Sequence, residues 1–116
     1  ARMGERLVGR LTEAARRLPV VGDVRGRGLM VGVEVIDPHA TDHAGRPAHN
    51  GPLARRVQAE ALARGLIVEV GGRFGSVLRL LPPLIVTPAE VDMIADRLTM
   101  ALEAVAAPPA VVAAGG

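Results

Sequence analysis

A single arginine interrupts an apolar run late in the chain, Ser76-Val77-Leu78-Arg79-Leu80-Leu81-Pro82-Pro83-Leu84. Arginine is seldom fully buried unless it has a partner. The residues alone leave two readings. The aliphatic stem of Arg79 can cross a sheet edge and lift its head into water. Alternatively, a rigid strand presents the guanidinium to a carboxylate, gripping it through two parallel hydrogen bonds. Pro82 and Pro83 stop the strand and leave free space beyond it. Glu69, Arg73 and Phe74 flank the preceding turn. They either line the same pocket as Arg79 or form a plain hairpin.

Other candidate chemistry is thinner. Gly26-Arg27-Gly28 resembles the start of a phosphate loop, but Gly32 falls one place too far for G-x-G-x-x-G and no helix opens there. A tight strand connection is the better reading. His39, Asp42, His43 and His49 lie in a Pro- and Gly-rich stretch, with no regular element expected to orient them as metal ligands. No metal site is expected. No hydroxyl nucleophile can be set beside a histidine. The chain has no cysteine, which removes thiolate zinc sites, disulfides and a Cys nucleophile. No catalytic residue is expected within this chain.

Composition narrows the class further. The 116 residues suit one domain with one core. All 14 cations are arginine, there is no lysine, and 12 carboxylates are interspersed with them. A nucleic-acid surface needs a basic stripe, and single-strand binding also needs stacking aromatics; Phe74 is the only aromatic residue. No nucleic-acid partner is expected. No apolar stretch reaches about 18 residues and no signal-peptide pattern opens the chain, so no membrane partner and a cytoplasmic location are expected.

The elements that must position Arg79 follow from periodicity. Met3, Leu7, Leu11, Ala14 and Leu18 form one face of a first helix that ends at Pro19. It starts without a clear cap, as expected for a piece of a longer protein. Val20, Val21 and Val24 suggest a short strand, and the alternation from Leu29 to Ile36 a second, with a turn or bulge at Asp23 to Gly28 between them. After the histidine loop, a helix should run from Pro52 to Arg64 with Leu53, Val57, Ala61 and Leu62 inward and Gly65 as its stop. Leu66–Val70 and Val77–Leu81 read as paired strands. Thr87-Pro88-Ala89-Glu90 is a capping box opening a last helix, with Val91, Ile94, Leu98, Leu102 and Val105 on one face. The fold class is therefore α+β, in the order α-β-β-α-β-β-α. A small, mostly antiparallel sheet of about four strands is covered by helices on one side. Residues 1–106 form the domain, and 107–116 a low-complexity tail.

Two stretches carry a resemblance. Val24-Arg25-Gly26-Arg27-Gly28-Leu29-Met30-Val31-Gly32-Val33-Glu34 and Ala63 to Asp92 resemble, in order, the C-terminal part of class III aminotransferases of fold type I. The pairing of Glu-Val-Gly-Gly-Arg-Phe-Gly with Leu-Arg-Leu-Leu-Pro-Pro-Leu is most similar to their diaminobutyrate–2-oxoglutarate branch. The resemblance implies the small C-terminal domain of a larger enzyme dependent on pyridoxal 5'-phosphate. It implies that Arg79 binds the α-carboxylate of glutamate or 2-oxoglutarate; Arg73 and Phe74 are further substrate-binding candidates on their place in the turn alone. It also implies a ping-pong transfer of an amino group from a donor such as diaminobutyrate to 2-oxoglutarate, in a homodimer whose large domain packs on this one. The cofactor needs a lysine to anchor it, and this chain has none. The chain alone should therefore bind no pyridoxal phosphate and be inactive. A stand-alone α+β module that binds a small carboxylate, or a dimerisation domain, is the alternative.

Overall fold

The computed structural model describes residues 2–27, 30–81 and 87–106. The elements are α1 (Arg2–Ala15), β1 (Val21–Arg27), β2 (Met30–Thr41), β3 (Pro47–His49), α2 (Gly51–Ala63), β4 (Glu69–Gly71), β5 (Val77–Leu80) and α3 (Pro88–Ala106). The sheet order is β1-β2-β5-β4, every pairing is antiparallel, and β3 pairs with the far end of β2. This is the expected α+β architecture with a fifth strand added.

Three local expectations are corrected. The histidine stretch is not a loop without regular structure. β2 runs on to Thr41 and carries His39, while β3 returns to place His49 opposite Ile36. The hairpin holds because Asp42 Oδ1 accepts from the backbone N–H groups of Ala44 and Arg46, at 2.8 and 3.0 Å, and Gly45 supplies a φ of +79°. Asp23 to Arg27, read as a connection, are strand; a bulge between Val21 and Asp23 absorbs the irregularity. The strand expected over Leu66–Val70 is only Glu69–Gly71. The expected turn at Gly28, the Pro82-Pro83-Leu84 segment and the 107–116 tail lie outside the described residues.

Local signals set the helix ends. Thr87 Oγ1 accepts from Glu90 N–H at 3.1 Å, and Glu90 Oε1 accepts from Thr87 N–H at 2.8 Å, the reciprocal capping box. Asn50 Oδ1 accepts from Leu53 N–H at 3.1 Å to start α2, and Gly65 at φ +81° ends it. On α2, Gly51, Ala54, Val57 and Ala61 are buried, whereas Leu62, expected inward, is exposed.

Alternation within the strands then separates two faces. Val31, Val33, Val35, Leu78 and Leu80 point to one side and are buried with Leu7, Leu11, Val57, Leu98 and Leu102. α1 and α2 pack on this side, and α3 packs against both helices. Arg6–Asp92, Arg10–Asp96 and Arg17–Glu103 are each 86 residues apart. A constant offset of this kind requires α1 and α3 to run parallel and in register. The opposite face of the sheet carries Gly32, Glu34, Val77 and Arg79, and no described helix packs on it.

Candidate functional site

Arg79 lies near the middle of β5, and Leu78 and Leu80, its neighbours on either side, are buried at 0 and 3 % exposure. A period of two therefore aims Arg79 at the open face. Its partners in the ladder are Gly32 on β2 and Glu69 on β4. Gly32 offers no side chain to cover it. On the other side the guanidinium rests on Gly71: a Cβ there would lie 2.6 Å from Arg79 Cζ and 2.8 Å from one of its terminal nitrogens. Only glycine permits that approach. Among the described residues no carboxylate forms an ion pair with Arg79.

The space above Arg79 is an open cleft of about 420 Å³, lined by Arg25, Gly26, Met30, Gly32, Glu34, Gly72, Val77 and Arg79. The other cation in it is engaged, since Arg25 Nε is 3.0 Å from Asp23 Oδ2. Arg79 is thus a half-buried cation on a stiff strand, facing space and open to an anion. Its planar fork matches a carboxylate in geometry and charge.

The turn before Arg79 has its own support. Gly72 and Gly75 take φ values of +85° and +64°, a backbone that L side chains rarely adopt. Phe74 stacks on the His49 ring, with centroids 4.2 Å apart and planes 16° from parallel, and Arg73 sets its guanidinium carbon 5.4 Å from the Phe74 centroid. Phe74 therefore faces His49 and Arg73, and neither Arg73 nor Phe74 is among the residues lining the Arg79 cleft. Glu69 is exposed on β4 beside Arg79. His49 Nδ1 lies 3.2 Å from Ser76 Oγ and 3.2 Å from Glu34 Oε2. Ser76 is the one buried polar side chain among the described residues, at 1 % exposure. Sequence reasoning passed over Glu34 and Ser76, set His49 aside as a loop residue and expected no hydroxyl beside a histidine; the Ser76–His49 contact corrects that expectation, although the hydroxyl is buried. The one local hint was the position of His49 directly before the Asn50-Gly51-Pro52 helix start.

Among the described residues, no three His, Asp or Glu side chains gather as metal ligands would. No described helix is long and apolar enough to cross a membrane.

With this geometry the likeness to known proteins becomes informative. The family model "Aminotransferase class-III" matches residues 1–102. The chain belongs to the class III aminotransferase family. It is 50% identical over 101 residues to a diaminobutyrate–2-oxoglutarate aminotransferase of Rhizobium meliloti (strain 1021), covering 86% of this chain and 22% of that protein. An alanine/serine racemase of Pyrococcus horikoshii is 35% identical over 101 residues, covering 87% of this chain and 20% of the racemase. Among solved structures, a Bacillus anthracis aminotransferase superposes with a TM-score of 0.76 at 30% identity, covering 90% of this chain and 23% of that one. This class III chain thus spans about a fifth of the length of the relatives it matches.

The family implies pyridoxal phosphate in the complete enzyme. The residues of this chain do not fit that group, because no lysine is available to anchor its aldehyde. In this family segment, Arg79 and its cleft are the candidate substrate contact.

Proposed function

We propose that this chain is the small C-terminal domain of a class III transaminase that moves an amino group from a donor, with diaminobutyrate the favoured candidate, to 2-oxoglutarate. Within that enzyme Arg79 binds the α-carboxylate of 2-oxoglutarate and of the glutamate formed from it. The observation that carries this reading is the Arg79 guanidinium itself, laid over Gly71 on an open sheet face with no carboxylate partner among the described residues.

The chain's own contribution is binding and orientation. Two parallel hydrogen bonds from a guanidinium fix both the position and the plane of a carboxylate. Fixing that plane points the adjoining keto carbon in one direction, which lowers the entropic cost of reaching the reacting geometry. The strand holds the Arg79 backbone rigid, while Gly32 and Gly71 keep its flanks clear. The chain contributes no group that could anchor the cofactor, so it is inactive by itself.

The remaining partners follow from the surface. Leu62, Ile67, Leu81, Met93 and Met100 are exposed apolar side chains, with Ile67 at 81 %. Such exposure supports burial against the enzyme's large domain and a second subunit in a homodimer. The 50% identity to a diaminobutyrate–2-oxoglutarate aminotransferase supports the choice of donor and acceptor.

Steady-state kinetics of the full-length enzyme test the assignment. Arg79→Ala should lower kcat/KM for 2-oxoglutarate by about a hundredfold or more, the loss of roughly 3 kcal/mol typical of a broken charge-assisted pair. Arg79→Lys should also be impaired, because a point charge cannot reproduce the fork. Unchanged 2-oxoglutarate kinetics in both variants would remove Arg79 from the site.

A further inference from the structure

Glu34 is placed to compete with a substrate carboxylate. The register of β2 and β5 pairs Gly32 with Arg79 and Glu34 with Val77, so Glu34 and Arg79 are diagonal neighbours on the open face. Diagonal pairs stand roughly 7–8 Å apart, within reach of two long side chains of opposite charge. Both also line the 420 Å³ cleft. An ion pair between them would occupy the fork that a substrate needs. That pair is not formed. Glu34 Oε2 lies instead 3.2 Å from His49 Nδ1, and Arg79 turns the other way, over Gly71.

His49 is well anchored for this task. Its ring stacks on Phe74, its Nδ1 also meets the buried Ser76 hydroxyl, and its backbone sits in β3 opposite Ile36. His49 Nδ1 has the Ser76 hydroxyl as its hydrogen-bond partner, and the Glu34 carboxylate lies at the same 3.2 Å from that nitrogen as a close polar contact. The contact is intermediate in exposure, with side chains 26 and 22 % accessible for His49 and Glu34.

We propose that His49 is a positioning residue for the carboxylate site: it holds Glu34 away from Arg79 and so keeps the guanidinium open to substrate. The proposal rests on the reading of Arg79 as the carboxylate grip. It deepens that reading by naming the internal competitor and the group that restrains it.

The test is kinetic, on the full-length enzyme. His49→Phe keeps a flat ring on Phe74 while removing Nδ1, which frees Glu34. A carboxylate tethered this close acts at millimolar or higher effective concentration, so the KM for 2-oxoglutarate should rise about tenfold. The half-reaction with the amino donor alone should stay within about twofold, since only a step that uses the Arg79 fork is affected. His49→Phe combined with Glu34→Gln should return the KM to within about threefold of the parent, because an amide is a poor competitor for a guanidinium. If His49→Phe is insoluble, His49→Met is read in the same way. An unchanged KM in the single variant, or a raised KM that Glu34→Gln does not relieve, overturns the proposal. Arg79→Ala serves as the control. If it leaves 2-oxoglutarate kinetics unaltered, the Arg79 reading itself has failed; if it impairs them while His49→Phe does not, only the restraint has failed.

Discussion

The two faces of the sheet are built from the same strands and do opposite work. Toward the helices, Val31, Val33, Val35, Leu78 and Leu80 are buried at 3 % exposure or less. On the other side, one residue along in each case, stand Gly32, Glu34, Val77 and Arg79, partly exposed around an open cleft. The helix-side residues lock the backbone by removing apolar surface from water. The open-side residues use that rigidity to hold charges and gaps in place. Because the strand period is two, a rigid Leu78 and Leu80 leave Arg79 little choice of direction. Stability and the proposed carboxylate recognition should therefore be separable by single substitutions.

The largest effect is expected on the helix side. Leu78→Ala removes a fully buried side chain and should cost about 2–5 kcal/mol in chemical denaturation, through lost transfer energy and a residual cavity. A loss well under 1 kcal/mol would mean that this face does not anchor β5.

Gly71→Ala sharpens the contrast from the other side. The new methyl group would collide with the flexible end of Arg79, at 2.6 Å from Cζ, and not with backbone. The fold should therefore tolerate it, with a change in unfolding free energy within about 1 kcal/mol. The displaced guanidinium should raise the 2-oxoglutarate KM of the full-length enzyme by about tenfold, the kinetic equivalent of roughly 1.4 kcal/mol. Equal effects on folding and on KM would break the separation of the two faces.

The smallest effect concerns neither face but the α1–α3 seam behind the core. Asp92 accepts from Arg6 at 3.0 and 2.8 Å and lies 3.2 Å from Arg10. The hydrogen bonds from Arg6, then the charges of Arg6 and Arg10, hold its carboxyl below the ordinary 3.8. A carboxyl whose folded-state pKa is depressed adds stability that is present above the unfolded pKa and lost as pH falls through the folded value. Asp92→Asn should thus lower the denaturation midpoint slightly near neutral pH. The difference from the parent should vanish once the solution is more acidic than the folded Asp92 carboxyl. It should also shrink in high salt, because the pair is solvent-exposed. A difference that survives acid and salt would point to packing and not to charge.

Much of the scaffold was legible because its causes are local. The capping box at Thr87 and Glu90, the stop at Gly65 and the apolar stripes of α1 and α3 each depend on residues within a few positions of one another. Arg79 was legible as a candidate for the same reason, an unusual charge in a short apolar run. Leu62 was misjudged because a stripe gives only the mean direction of a helix face, and packing of α2 against α3 sets its true edge. The β2–β3 hairpin was missed because Pro, Gly and polar residues mark a turn without showing how far its arms extend.

Residue order alone thus determined an α+β chain with Arg79 presented by a strand, and a chain without lysine that cannot anchor an aldehyde cofactor. Tertiary structure decided what surrounds that arginine. The contact of Ser76 with His49 spans 27 residues, and the approach of Glu34 to both His49 and the Arg79 cleft depends on the register of three strands. Such contacts arise only when backbone hydrogen bonding and core burial fix one strand against another, and no local pattern encodes that choice.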